Sequence, residues 1–149
     1  MVEEIRISGK LIALIIQSDA LKEGVEFFTS SEMEQQAAKM KYKSGYSILP
    51  HTHNEVKREI RTTSEVLVII KGKLRVDFYN LNQYFESRIV KSGDLVLLFG
   101  GSHGFKVIED IEMIEVKQGP FLGEKDKVRF SGVDESKVII KEYDKNSGL

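Results

Sequence analysis

Three histidines, at positions 51, 53 and 103, are the whole imidazole inventory of this chain. His51 and His53 stand two residues apart, and in a β-strand residues i and i+2 point to one face. Both rings would therefore project the same way. Glu65 opens an apolar run, EVLVII, that can lie beside the histidine strand and add a carboxylate, and His103 follows in GGSHGF. Imidazoles plus one carboxylate, with positions left for water or substrate, form a donor set that suits a borderline divalent metal. The expected ligands are His51, His53, Glu65 and His103. Such a set takes iron, manganese, nickel, cobalt or zinc without choosing among them. A metal held this way polarises a carbonyl, lowers the pKa of bound water or, if it is iron, binds dioxygen.

Positioning these residues calls for strands. Ile5 and Ile7 alternate, and Leu11 to Ile16 form a continuous run that implies cover on both faces, with Ser8-Gly9 as the break. Residues 19–36 are mixed: Val25 to Phe28 reads as a short strand and SSEMEQQAA as at most one helical turn. Ala38, Met40 and Tyr42 alternate with Lys39, Lys41 and Lys43, which predicts a half-exposed strand with a lysine face. Ser44-Gly45 then turns the chain into the strand carrying His51 and His53. Lys71-Gly72-Lys73 reads as a hairpin turn, with Leu74, Val76 and Phe78 alternating on the return. Val66, Val68 and Ile70 oppose Leu67 and Ile69, so the outer face of this strand needs cover from another segment or a second subunit. Turns at 80–82 and 91–94 bound a strand over Phe85 to Val90, and Leu95 to Phe99 is a buried strand. Phe105 to Ile108, Ile111 to Val116, Lys127 to Phe130 and Val138 to Tyr143 read as further short strands, with Asn146 to Leu149 frayed. Many short strands with regular turns, and almost no helical periodicity, predict an all-β sandwich or barrel.

The motif residues resemble those of a small single-domain cupin. Gly45, His51 and His53 match the opening half of that family's first motif, and Glu65 with Gly72 matches the closing half. Eleven residues separate His53 from Glu65, a longer spacer than the family's, which reads as an extended loop. Gly93, Gly100 and His103 match the second motif, one residue short, with Leu98 where the motif has proline and no asparagine after the histidine. The likeness spans roughly residues 35–118. It implies one cupin-like domain over residues 1–149, a double-stranded β-helix or jelly-roll barrel with the metal near one mouth, extended at both ends by further strands. It also implies a homodimer, in which exchange of an N- or C-terminal strand would cover the outer face.

Composition limits the alternatives. At 149 residues with a net charge of −1 and interspersed signs, the chain offers no basic block for nucleic acid. There is no cysteine, hence neither disulfide nor thiolate site. The run LIALII is too short to span a bilayer and lacks the flanks of a signal peptide. A cytoplasmic protein without a membrane role is the expectation.

Arg58 and Arg61, in the insertion NEVKREIR, are candidate substrate-binding cations for a carboxylate or phosphate, although a solvated loop with local ion pairs explains them more simply. Tyr42 is a candidate stacking surface or proton donor, and more simply a core residue. Gly100-Gly101-Ser102 reads as a tight turn presenting His103. The function expected from these residues is a metalloenzyme, an oxygenase or an isomerase/lyase, acting on a sugar or organic acid. A small-ligand sensor or accessory subunit without catalysis is one alternative. A metal-independent sugar-nucleotide epimerase or isomerase, using a histidine base and a tyrosine acid, is the other.

Overall fold

A computed structural model describes residues 1–17 and 23–142. Among these residues there are eight strands and two short 3-10 turns: β1 (Val2–Ile7), β2 (Lys10–Ile16), β3 (Gly24–Phe27), β4 (Ala38–Lys41), β5 (Glu65–Asn80), β6 (Gln83–Lys91), β7 (Leu95–Leu98) and β8 (Ser102–Lys117), with the turns at Gly123–Asp126 and Glu135–Lys137. The protein is all-β, a strongly curled antiparallel sheet forming a half-barrel.

Strands β1 and β2 form a hairpin around Ser8-Gly9, both with positive φ, as a tight two-residue turn requires. β2 pairs with β7, which pairs with the first half of β5. The second half of β5 pairs with β6, and β8 runs along the opposite edge of β5 from end to end. β3 and β4 make a separate two-stranded ribbon.

Alternation places the core. Leu67, Ile69, Leu74, Val76 and Phe78 of β5 point into the curl with Ile5, Ala13, Ile15, Val90, Val96 and Leu98. Leu14, Ile16 and Leu97 form a second cluster on the other face, joined by Val66, Phe28 and Ala37. The continuous run of β2 is thus covered on both sides, as its sequence implies. A buried ion network reinforces the second half of β5. Arg75 donates two hydrogen bonds to Asp77, at 2.7 and 3.0 Å, and two more to Glu135, at 2.8 and 3.0 Å. Ser87 also donates to Asp77.

Several local expectations are corrected. Lys71-Gly72-Lys73 is no turn: β5 continues through it, and register shifts against β8 on both sides of Gly72 mark bulges. Gly72 has φ +86°, and a Cβ there would lie 2.0 Å from the Asp110 carbonyl oxygen. Positive-φ glycine serves a bulge as well as a hairpin. Phe105 to Val116 is likewise one bulged strand rather than two. The lysine-faced strand stops at Lys41, and Tyr42 is half-buried against Tyr46, stacked at 4.2 Å between centroids, instead of joining the core. Residues 42–64 hold no strand, so His51 and His53 are not on one: among the described residues nothing pairs with their backbone. Residues 31–36 form turns and bends, not a helical turn. Lys127 to Phe130 is irregular, and among the described residues the tail's one β-bridge to the sheet is a parallel one between Ile140 and Ser87, its other contacts being made by side chains. The expected strand end at Tyr143, the frayed Asn146–Leu149 and part of the mixed stretch after Gln17 lie outside the described residues.

Candidate functional site

Glu65 is the first residue of β5, and His103 is the second of β8. In the ladder Glu65 is opposite Lys117 and His103 is opposite Phe78, so the two belong to opposite ends of the same strand pair. The curl closes that distance. His103 Nε2 lies 3.0 Å from Glu65 Oε2, with both side chains largely withdrawn from solvent. Gly101, at φ +70°, leads the chain into β8 and sets the start of His103's strand, the presenting turn expected from the sequence.

The carboxyl of Glu65 is held below the usual carboxylate range. The hydrogen bond from His103 is the chief cause and outweighs the opposing effect of burial; the nearby charges of His103, Lys117 and Lys127 act in the same sense as that bond. An ionised Glu65 accepting from Nε2–H fixes the imidazole in the tautomer whose lone pair is on Nδ1.

The pair lines a cavity of about 600 Å³. One wall is the start of β8, Ser102 to Phe105; another is the C-terminal segment, with Lys127, Arg129 and Phe130. Tyr79 closes the interior side. Its hydroxyl accepts a hydrogen bond from the Val133 backbone N–H at 3.1 Å, and its ring meets Phe130 edge-on at 5.1 Å. Lys117 approaches Asp126 at 3.7 Å and so ties the C-terminal segment across the end of β8. Arg129 is ion-paired with Glu124 on the outside. Aromatic walls with two cations and a hydrogen-bonded acid–base pair suit a small polar anion.

The other sequence candidates lie elsewhere. His51 and His53 are exposed, their rings 5.2 Å apart and edge to face, and His51 Nδ1 is 3.0 Å from the Leu49 carbonyl. Neither lines the cavity of Glu65 and His103. Arg58 is exposed, and Arg61 bonds to Glu59 at 2.9 and 3.0 Å, the local ion pair expected of a solvated loop. Tyr42 is also outside the cavity.

Among the described residues no three His, Asp or Glu side chains are grouped as a metal ion would need. Glu65 and His103 alone supply two donors, already bonded to each other. A transition-metal site wants at least three protein ligands, and of the four expected donors the described structure brings Glu65 and His103 together and leaves His51 and His53 apart.

Sequence reasoning missed Tyr79, Lys127, Arg129 and Phe130. KVRF follows no barrel motif, and its place over the cavity depends on the path of the tail. Tyr79 ends an alternating strand and reads as plain core. Comparison with known proteins finds no match for this chain, whether among family models, curated proteins or solved structures.

Proposed function

We propose that this chain is a cupin-like jelly-roll protein whose cavity binds a small anionic molecule, a sugar derivative or organic acid, and that Glu65 and His103 move a proton on it. The observation that carries this reading is the 3.0 Å contact between Nε2 and Oε2 at the cavity wall. With Nε2–H given to Glu65, Nδ1 of His103 is the basic atom, and the ionised carboxylate stabilises the imidazolium that forms when it takes a proton. Tyr79 lines the same space with a hydroxyl proton to donate. Lys127 and Arg129 would hold the substrate's carboxylate or phosphate. Isomerisation or epimerisation next to a carbonyl is the chemistry these groups fit.

A second reading, half of a metal centre, is favoured by the His51-x-His53 spacing. It uses the same Glu65 and His103 but needs further donors to reach them.

The test is solvent-deuterium exchange followed by NMR over a panel of keto acids, sugar acids and nucleotide sugars. Wild-type protein is expected to label at least one compound at a carbon beside its carbonyl. His103→Ala should slow labelling by roughly 10²–10⁴-fold. Labelling at an unchanged rate in that variant would refute the assignment.

A further inference from the structure

The far wall of the cavity is held unlike the rest of the fold. Residues 118–142 follow β8 across the sheet, and not one of them is buried. Phe121, Leu122 and Val128 face solvent, Val128 at 90% exposure. Arg75, Tyr79 and Ser87, the sheet residues they bond, are by contrast buried.

The attachment is chiefly polar. Glu135 takes two hydrogen bonds from Arg75 and lies 2.9 Å from the Lys106 ammonium. Val133 N–H donates to the Tyr79 hydroxyl, and Ile139 N–H to the Tyr84 hydroxyl at 2.9 Å. Ser87 exchanges backbone bonds with Ile139 and Lys141, and the Lys141 ammonium pairs with Glu86. Phe130 against the Tyr79 ring adds an aromatic contact. The lining stretch with Lys127, Arg129 and Phe130 therefore hangs between two ionic anchors, Asp126 on Lys117 and Glu135 on Arg75 and Lys106.

Polar contacts of this kind exchange for water at small net cost, whereas the strands beneath are locked by apolar burial. Opening also strands no charge, because Arg75 keeps both bonds to Asp77 when Glu135 departs. Such a segment opens far more readily than the core unfolds.

We propose that residues 118–142 are a strap that undocks while the sheet stays folded, and that its release is the entry gate of the cavity, with Glu135 as the latch. The strap carries Lys127 and Arg129 and the sheet carries Glu65 and His103, so an anion held between them favours the closed form. This coupling to a ligand rests on the reading of the cavity as an anion site; the gate itself does not.

The N–H groups of Val133, Ile139 and Lys141 bond sheet residues, so their hydrogen exchange reports docking, while Val96 and Leu97, buried in β7, report the core. Wild-type protein is expected to exchange the first three together and well before the other two. Exchange should be faster in about 1 M NaCl than at low salt, because salt screens the latch. Glu135→Lys sets like charge against Arg75 and Lys106, and should speed the strap amides by about tenfold or more while leaving Val96 and Leu97 little changed. For the gate, Ser102→Cys places a single thiol in the cavity wall of a chain that has no native cysteine. Its labelling by a bulky neutral maleimide should rise with salt, and by a similar factor in Glu135→Lys.

Strap amides that exchange only with the core, or that ignore both salt and Glu135→Lys, would overturn the strap. A thiol labelled at one rate whether or not those amides open would overturn the gate. Inorganic phosphate, compared with NaCl at matched ionic strength, should slow the labelling, but not in Lys127→Ala/Arg129→Ala. Phosphate without effect, where salt and Glu135→Lys act as stated, would refute the anion site and leave the gate standing.

Discussion

Glu65 and His103 meet at 3.0 Å although they lie at opposite ends of one strand ladder, Glu65 opposite Lys117 and His103 opposite Phe78. A flat ladder would hold them some 40 Å apart, at about 3.3 Å per residue. Their contact therefore reports the curl of the whole β5–β8 pair, and whatever relaxes the curl should part them.

Gly72 is where that curl is most exposed to change. Its positive φ and the 2.0 Å approach of the Asp110 carbonyl leave no room for a side chain. Gly72→Ala should lower unfolding free energy by about 1–3 kcal/mol, the cost of a strained backbone position, as read from urea denaturation. It should also shift the ring ¹⁵N resonances of His103, far away along the chain.

The pH dependence of Glu65 has a definite sign. Its carboxyl is held below the ordinary glutamate range in the folded protein, chiefly through the His103 hydrogen bond. A depressed carboxylate stabilises the fold above its unfolded pKa, and that stabilisation disappears as pH falls through the folded value. Urea midpoints of the wild type and Glu65→Gln should differ near neutral pH and converge in acid below the ordinary carboxylate range. A gap that widened there would contradict the assignment.

The Arg75 network should divide unequally. Glu135 is held down to about 2 by hydrogen bonds from Arg75 and Lys106, but it is solvent-exposed, so Glu135→Gln should cost little. Asp77 is buried with Arg75, and removing it leaves a buried guanidinium with only the exposed Glu135 to pair with and Ser87 without its acceptor. Asp77→Ala should cost about 3–5 kcal/mol, and calorimetric melting would show the contrast between the two variants.

How far the sequence could be read follows the range of each signal. The β1–β2 turn, the turns at 80–82 and 91–94 and the two-sided burial of β2 are local, and all are present. Glu65 and His103 were legible through their spacing from glycines, because those glycines shape the bulge and turn that carry them. Gly72 misled, since the same positive φ serves a hairpin and a bulge. The far wall of the cavity was illegible because Lys127, Arg129 and Phe130 are placed by the tail's path rather than by any periodicity. The strand expected for His51 and His53 is of a different kind. Alternation states what a segment can form, but a strand needs a partner, and among the described residues none pairs with residues 42–64.

Anion binding should depend on the cations of that far wall. Arg129→Ala and Lys127→Ala should each weaken a bound carboxylate or phosphate by about tenfold or more, the scale of a charge-assisted hydrogen bond. Arg58→Ala, on the exposed loop, should change affinity far less when binding is measured at low protein concentration.

The most direct measurement is a ¹⁵N NMR titration of the histidine rings with a panel of small sugar acids, keto acids and sugar phosphates. If Glu65 and His103 are the working pair of this cavity, free His103 will show the Nε2–H tautomer, and at least one compound will shift its Nδ1 resonance. That shift should disappear in Lys127→Ala/Arg129→Ala. A His103 ring that carries its proton on Nδ1, or that no compound perturbs, would contradict the central claim.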